Sequence, residues 1–144
     1  IMLLVSIIGI SQNEGDCWKC IQASEKNEVE STITECTRYI NKMQSGKSVD
    51  LAKFILAKAN MEEGDFNRSL SQLLTIQTSS FFFSSIINSL AGDCYFELKN
   101  YEKASEYYKK AVESNFNDLS PYFLYKLVLN VYSTNLKSSI NFVV

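Results

Sequence analysis

The feature that most constrains this 144-residue chain is a helical hairpin that occurs twice, its second helix starting at Phe66 in one copy and at Tyr101, 35 residues later, in the next. In the first copy a run rich in Ala, Leu, Lys and Glu, Leu51 to Glu63, ends at Gly64-Asp65, after which Phe66, Ser69, Leu70, Leu73, Leu74 and Gln77 keep helical spacing. In the second, Phe83, Ile86, Ile87, Leu90, Ala91, Cys94, Tyr95 and Leu98 form one face, Lys99-Asn100 is the break, and Tyr101, Ala104, Tyr108, Ala111 and Val112 form the next. Gly64 can turn the chain, and Asp65 and Asn100 can cap the helices that follow by accepting from their free amides. A hairpin of this kind buries its apolar stripe only against neighbours, so the pattern points to stacked helices.

Composition agrees. Five glycines and one proline in 144 residues disfavour collagen-like, linker-like and turn-dense β architectures, so the chain is expected to be mostly helix. The absence of histidine removes Ser-His-Asp and Cys-His nucleophile systems and every zinc site built on imidazole. A net charge of −2, from 14 basic and 16 acidic residues, offers no general attraction to phosphate backbones, so a nucleic-acid partner is not expected. A domain of this length buries on the order of 70% of its unfolded surface and needs neither disulfide nor metal to fold. No metal and no cofactor is expected.

Ahead of the hairpins, Val29, Ile33, Cys36, Ile40 and Met43 are spaced as one helical stripe, which predicts a helix over 28–44. Asn27 and Glu30 have the spacing of a capping box, and Gly46 supplies a stop. Residues 12–49 therefore read as a divergent helical pair. Residues 1–10 carry no charge; as a helix they would be about 15 Å long against about 30 Å for a bilayer core. Two readings compete for residues 1–11: the end of a signal peptide, with Gly9 and Ser11 as a small-x-small cleavage site, or part of a membrane anchor. Both put the remainder outside the cytoplasm, periplasmic or secreted, and a chain opening on isoleucine reads as a fragment. Towards the other end, Asn117-Asp118 and Ser120-Pro121 signal a loop and a helix start, followed by apolar stretches at 122–132 and Leu136–Val144. Phe81-Phe82-Phe83, between serine pairs, reads as loop leading into helix, its aromatics as core anchors.

The segments Gly92-Asp93-Cys94-Tyr95, Asn100-Tyr101-Glu102-Lys103-Ala104 and Tyr107-Tyr108-Lys109-Lys110-Ala111 together resemble one well-kept tetratricopeptide repeat over 85–118. Small residues are needed where helices cross closely, at Gly92, Ala104 and Ala111, and Tyr95, Tyr101 and Tyr108 fill the gaps between them. A weaker repeat over 50–83 has Ala57, Gly64, Phe66 and Ser69 at matching places, and an incomplete one covers 120–144, with Tyr132 aligned to Tyr95. The family's first-helix tryptophan is replaced by Lys53, Asn88 and Tyr125, and its helix-ending proline by Phe116. The resemblance implies an all-α right-handed solenoid of antiparallel hairpins. With its apolar leader, the chain also resembles, more loosely, bacterial membrane-anchored tetratricopeptide proteins of the cell envelope.

What the resemblance implies about function is recognition of a protein or peptide in a concave groove, as a scaffold or chaperone-like adaptor and not as an enzyme. Carried over by position, the family's groove falls on Leu51, Phe54, Ile55, Lys58, Met61 and Glu62 in one repeat and on Ile86, Ser89, Leu90, Asp93, Phe96 and Glu97 in the next. Phe123, Lys126 and Asn130 follow in the third. The two-carboxylate clamp of some members is not expected where Asp93 and Glu97 stand.

Two other readings come from the residues themselves. Cys17-Trp18-Lys19-Cys20 is a C-x-x-C, a candidate disulfide or redox pair for a thiol-redox envelope protein. The apolar C-terminal end suits a homo-oligomerisation domain.

Overall fold

The computed structural model describes residues 16–113. They form six α-helices and, among the described residues, no strand: α1 Asp16–Glu25, α2 Val29–Met43, α3 Lys47–Glu62, α4 Phe66–Leu73, α5 Phe81–Glu97 and α6 Tyr101–Glu113. The all-α hairpin architecture expected from the sequence is the one observed. The chain divides between Thr78 and Ser79 into two compact units, α1–α4 in one and α5–α6 in the other. The apolar leader over 1–11, the third repeat with Phe123, Lys126 and Asn130, and the apolar C-terminal end lie outside the described residues.

Each hairpin closes through the same joint. Asn27, Gly64 and Lys99 take positive φ values of 57°, 79° and 63°. The amide after each reaches back to the carbonyl five residues earlier: Glu28 to Ala23 at 3.2 Å, Asp65 to Asn60 at 2.8 Å and Asn100 to Tyr95 at 2.9 Å. The amides of Asn27, Gly64 and Lys99 themselves donate to Ser24, Met61 and Phe96. This Schellman arrangement satisfies the last carbonyls of the first helix, and the next residue then caps the second. The Asp65 carboxylate accepts from the Arg68 amide at 3.0 Å, and the Asn100 side chain from the Lys103 amide at 3.2 Å, as the sequence predicts.

The front pair departs from expectation at this point. Its cap position is Glu28, which makes no side-chain cap bond, and Asn27 is not the cap of a box with Glu30 but the left-handed residue that ends α1. Asparagine tolerates that conformation nearly as well as it caps, so its presence alone does not tell the two roles apart.

Other boundaries moved too. Gly46, with φ 121°, precedes the next helix, and the Asp50 amide donates to its carbonyl at 3.0 Å. The first helices start at Lys47 and Phe81, four residues ahead of the expected Leu51 and 85. The helix after Gly64 stops at Leu73, short of Gln77, and leaves Leu74 exposed. Ser80 caps α5 by accepting from the Phe83 amide at 3.2 Å. Of the three phenylalanines, Phe83 is an anchor at 1% exposure, whereas Phe81, on the first turn, is 75% exposed.

In the first unit α3 packs against α1, α2 and α4. Its core holds Ile21, Val49, Leu51, Ile55, Leu70 and Leu73, each worth about 1.5–3 kcal/mol of transfer free energy when fully buried. Ser48, at the start of α3, ties three helices: its hydroxyl accepts from Tyr39 of α2 at 2.7 Å, and its carbonyl meets the Cys17 thiol of α1 at 3.7 Å. A Cys20–Cys36 disulfide joins α1 to α2. This corrects the expected Cys17–Cys20 pairing. The facing helix brings Cys36 to a Cα separation of 4.8 Å from Cys20, while Cys17 is a buried thiol outside the disulfide, turned to Ser48.

Candidate functional site

The groove positions divide by environment. On α3, Leu51, Phe54 and Ile55 are buried at 0%, 3% and 1% exposure, which makes them core residues and not open contacts. A ten-residue run of α3 from Leu51 to Asn60 leaves only Lys58 exposed, because three helices cover it. Lys58 and Glu62 are exposed and Met61 half-buried. Lys58 and Glu62 border a cleft of about 220 Å³ with Ile55 in its wall and the α1–α2 joint, including Asn27 and Val29, on the other side.

In the second unit Ser89 is buried, Ile86, Leu90, Asp93 and Phe96 are half-buried, and Glu97 is exposed. Asp93 accepts from the Tyr108 hydroxyl at 2.8 Å, and Phe96 meets Tyr101 edge to face with centroids 5.4 Å apart. Both therefore serve their own hairpin as well as any partner.

The repeat-packing residues sit where close helix crossings need them. Ala57, Ala104, Tyr108, Ala111 and Gly92 are buried, Phe66, Tyr95 and Tyr101 are half-buried, and Gly64 acts through its backbone at an exposed turn. Tyr95 stacks on Tyr107 at 5.3 Å, with Lys103 5.3 Å above the Tyr95 ring and Lys110 4.5 Å above that of Tyr107. Partial burial raises the Tyr107 phenol above its ordinary value, and the neighbouring Tyr95 adds to this. On the solvent side the Lys110 ammonium donates to Glu106 at 2.6 Å, and this bond holds the Glu106 carboxyl below the usual range.

A larger cleft, about 450 Å³, opens between α2, α3 and α4. Leu56, Ile33 and Ile40 supply its apolar wall, and Thr37, Asn41, Asn60, Arg68 and Gln72 its polar groups. None of the eight belongs to the expected groove.

A family model described as a tetratricopeptide repeat-like domain matches residues 18–128. The chain belongs to the tetratricopeptide repeat-like family. No curated protein matches it. A tetratricopeptide repeat-like domain is a protein-interaction scaffold, and protein partners follow from membership. Among the described residues there is no cluster of His, Cys, Asp and Glu able to hold a metal ion, and no helix long and apolar enough to cross a membrane.

Two features of this repeat-like domain emerge only in the tertiary structure. Cys36 fits an apolar stripe in the sequence, because a half-cystine and a buried thiol have the same spacing. Asn60 is the other, and its only signal in the sequence is its alignment with Tyr95 at the 35-residue offset, an aromatic exchanged for an amide.

Proposed function

We propose that this chain is an interaction module of the cell envelope that holds a peptide or partner helix against the first helices of its hairpins. The observation that carries the reading is the cleft bounded by the α1–α2 joint, beside which Lys58 and Glu62 stand exposed. Opposite charges four residues apart on one helix face can set the direction of a bound segment, and half-buried Met61 offers adaptable apolar contact. Phe96 and Glu97 offer the same kinds of group on the α5–α6 hairpin. The Cys20–Cys36 disulfide supports residence in an oxidising compartment, where such bonds persist. Residues 1–10 would then serve as export signal or anchor.

Photo-crosslinking in cells tests this. A photoreactive residue in place of Lys58 or Glu62 is expected to trap a discrete partner, and one at Lys109, exposed on α6, to trap none. Equal capture from all three sites would overturn the groove. Acid-trapping of thiols from whole cells tests the compartment, since a reduced Cys20–Cys36 pair in living cells is incompatible with it.

A further inference from the structure

The α3–α4 and α5–α6 hairpins carry the same joint, and it sets their register: the Asn60 and Tyr95 carbonyls accept from the cap residues Asp65 and Asn100 respectively. In that register Asn60, Arg68 and Gln72 of α3 and α4 stand where α5 and α6 have Tyr95, Lys103 and Tyr107, each 35 positions later. The later hairpin fills the place with two stacked rings and a lysine over one of them. The earlier one has two carboxamides and a guanidinium there, and all three line the 450 Å³ cleft. That volume lies within the roughly 300–1,000 Å³ of ligand sites.

Asn60 is 4% exposed, and its carboxamide has no hydrogen-bond partner among the described residues. Leaving such a group unmet destabilises a fold, and folds retain it where something else meets it. The lining narrows the choice. It has no carboxylate for a cation and no aromatic face for a sugar, and its one charge, Arg68, is 76% exposed and already paired with Asp65 at 3.2 Å. What suits an apolar wall ringed by carboxamides is a ring flanked by peptide groups.

We propose that the cleft between α2, α3 and α4 binds a peptide segment that inserts an aromatic side chain, supplying in trans the rings that the later hairpin carries in cis. The ring packs on Leu56, Ile33 and Ile40, the Asn60 and Gln72 carboxamides bond the flanking main chain, and Arg68 covers the ring as Lys103 covers Tyr95. This site goes beyond the surface at Lys58 and Glu62 and shares no residue with it, so either can fail without the other.

The test is a titration of the full ¹⁵N-labelled chain with blocked pentapeptides centred on Tyr, Phe or Trp, and on Leu as control. The aromatic peptides are expected to shift the Asn60 and Gln72 side-chain amides saturably, with affinity at least about tenfold above the Leu peptide. The pair Asn60→Tyr with Gln72→Tyr, which rebuilds the stack, is expected to lose binding by about tenfold or more while unfolding cooperatively. If that pair does not fold, Gln72→Tyr alone at its partly exposed site takes its place. No saturable shift, meaning a cleft that holds only water, an equal response to the Leu peptide, or undiminished binding by the filled variant would each overturn the proposal.

Discussion

The ring of Tyr108 on α6 occupies the space that a Cβ on Gly92 of α5 would need: a methyl there would meet Cε1 and Cδ1 well inside van der Waals contact, with Cζ at 3.1 Å. The Tyr108 hydroxyl then bonds Asp93 at 2.8 Å, so one side chain sets both the separation of the two helices and their register. At the same places in the earlier hairpin stand Ala57 and Leu73, both buried: one methyl more on the first helix and a smaller side chain on the second.

Gly92→Ala is accordingly expected to destabilise the chain by about 1–3 kcal/mol, overpacking outweighing the roughly 1 kcal/mol gain in helix propensity. Adding Tyr108→Leu, which reproduces the Ala57/Leu73 pair, should recover part of that loss. Urea unfolding of the two single variants and the double measures the coupling, and strict additivity would contradict the shared space.

Lys99 holds φ 63° at a position where the earlier hairpin has Gly64. A left-handed conformation costs a side chain about 1–2 kcal/mol, partly offset by the greater freedom that glycine has when unfolded. Lys99→Gly should therefore stabilise by about 0.5–1 kcal/mol, and Gly64→Ala should destabilise by a similar amount. Opposite signs in thermal melts are the signature of the shared joint.

The Cys20–Cys36 bond spans 16 residues of sequence, a loop for which chain entropy predicts about 3 kcal/mol of stabilisation. Cys36→Ala in combination with Cys20→Ala should lose roughly that much in urea. In thiol titration without reductant, the folded protein should react slowly and the denatured protein should expose two thiols, Cys17 and Cys94. Four thiols in the denatured, unreduced protein would show the bond to be absent.

Burial raises the Asp50 carboxyl above the ordinary value, while Lys53 at 3.9 Å and the Gln77 backbone amide pull it back. The folded state thus binds this proton more tightly than the unfolded state. Its contribution is fully present below the unfolded carboxylate value and is lost as pH rises through the raised folded value. Asp50→Asn should remove that segment of the stability profile, which a series of urea melts across the acid range would reveal.

Helix identity was legible because it depends on local spacing: the stripes through Val29–Met43, Leu51–Glu63 and Phe83–Leu98 each lie within an observed helix, to within a few residues. The caps Asp65 and Asn100 were legible for the same reason, their bonds reaching only three residues. The candidate surfaces were less so. Family positions placed Leu51, Phe54 and Ile55 in an open groove, yet α3 packs against α1, α2 and α4 and these three side chains are buried.

What the chain determines by itself, then, is periodicity, capping and the 35-residue offset, all consequences of bonds and contacts within one or two turns. Only the tertiary structure decided that Cys20 meets Cys36, that Ile55 is core and Lys58 is surface, and that Asn60 is buried at the edge of a cleft. Each of these depends on which helix arrives opposite a residue, and a stripe specifies that a face is covered without specifying by what.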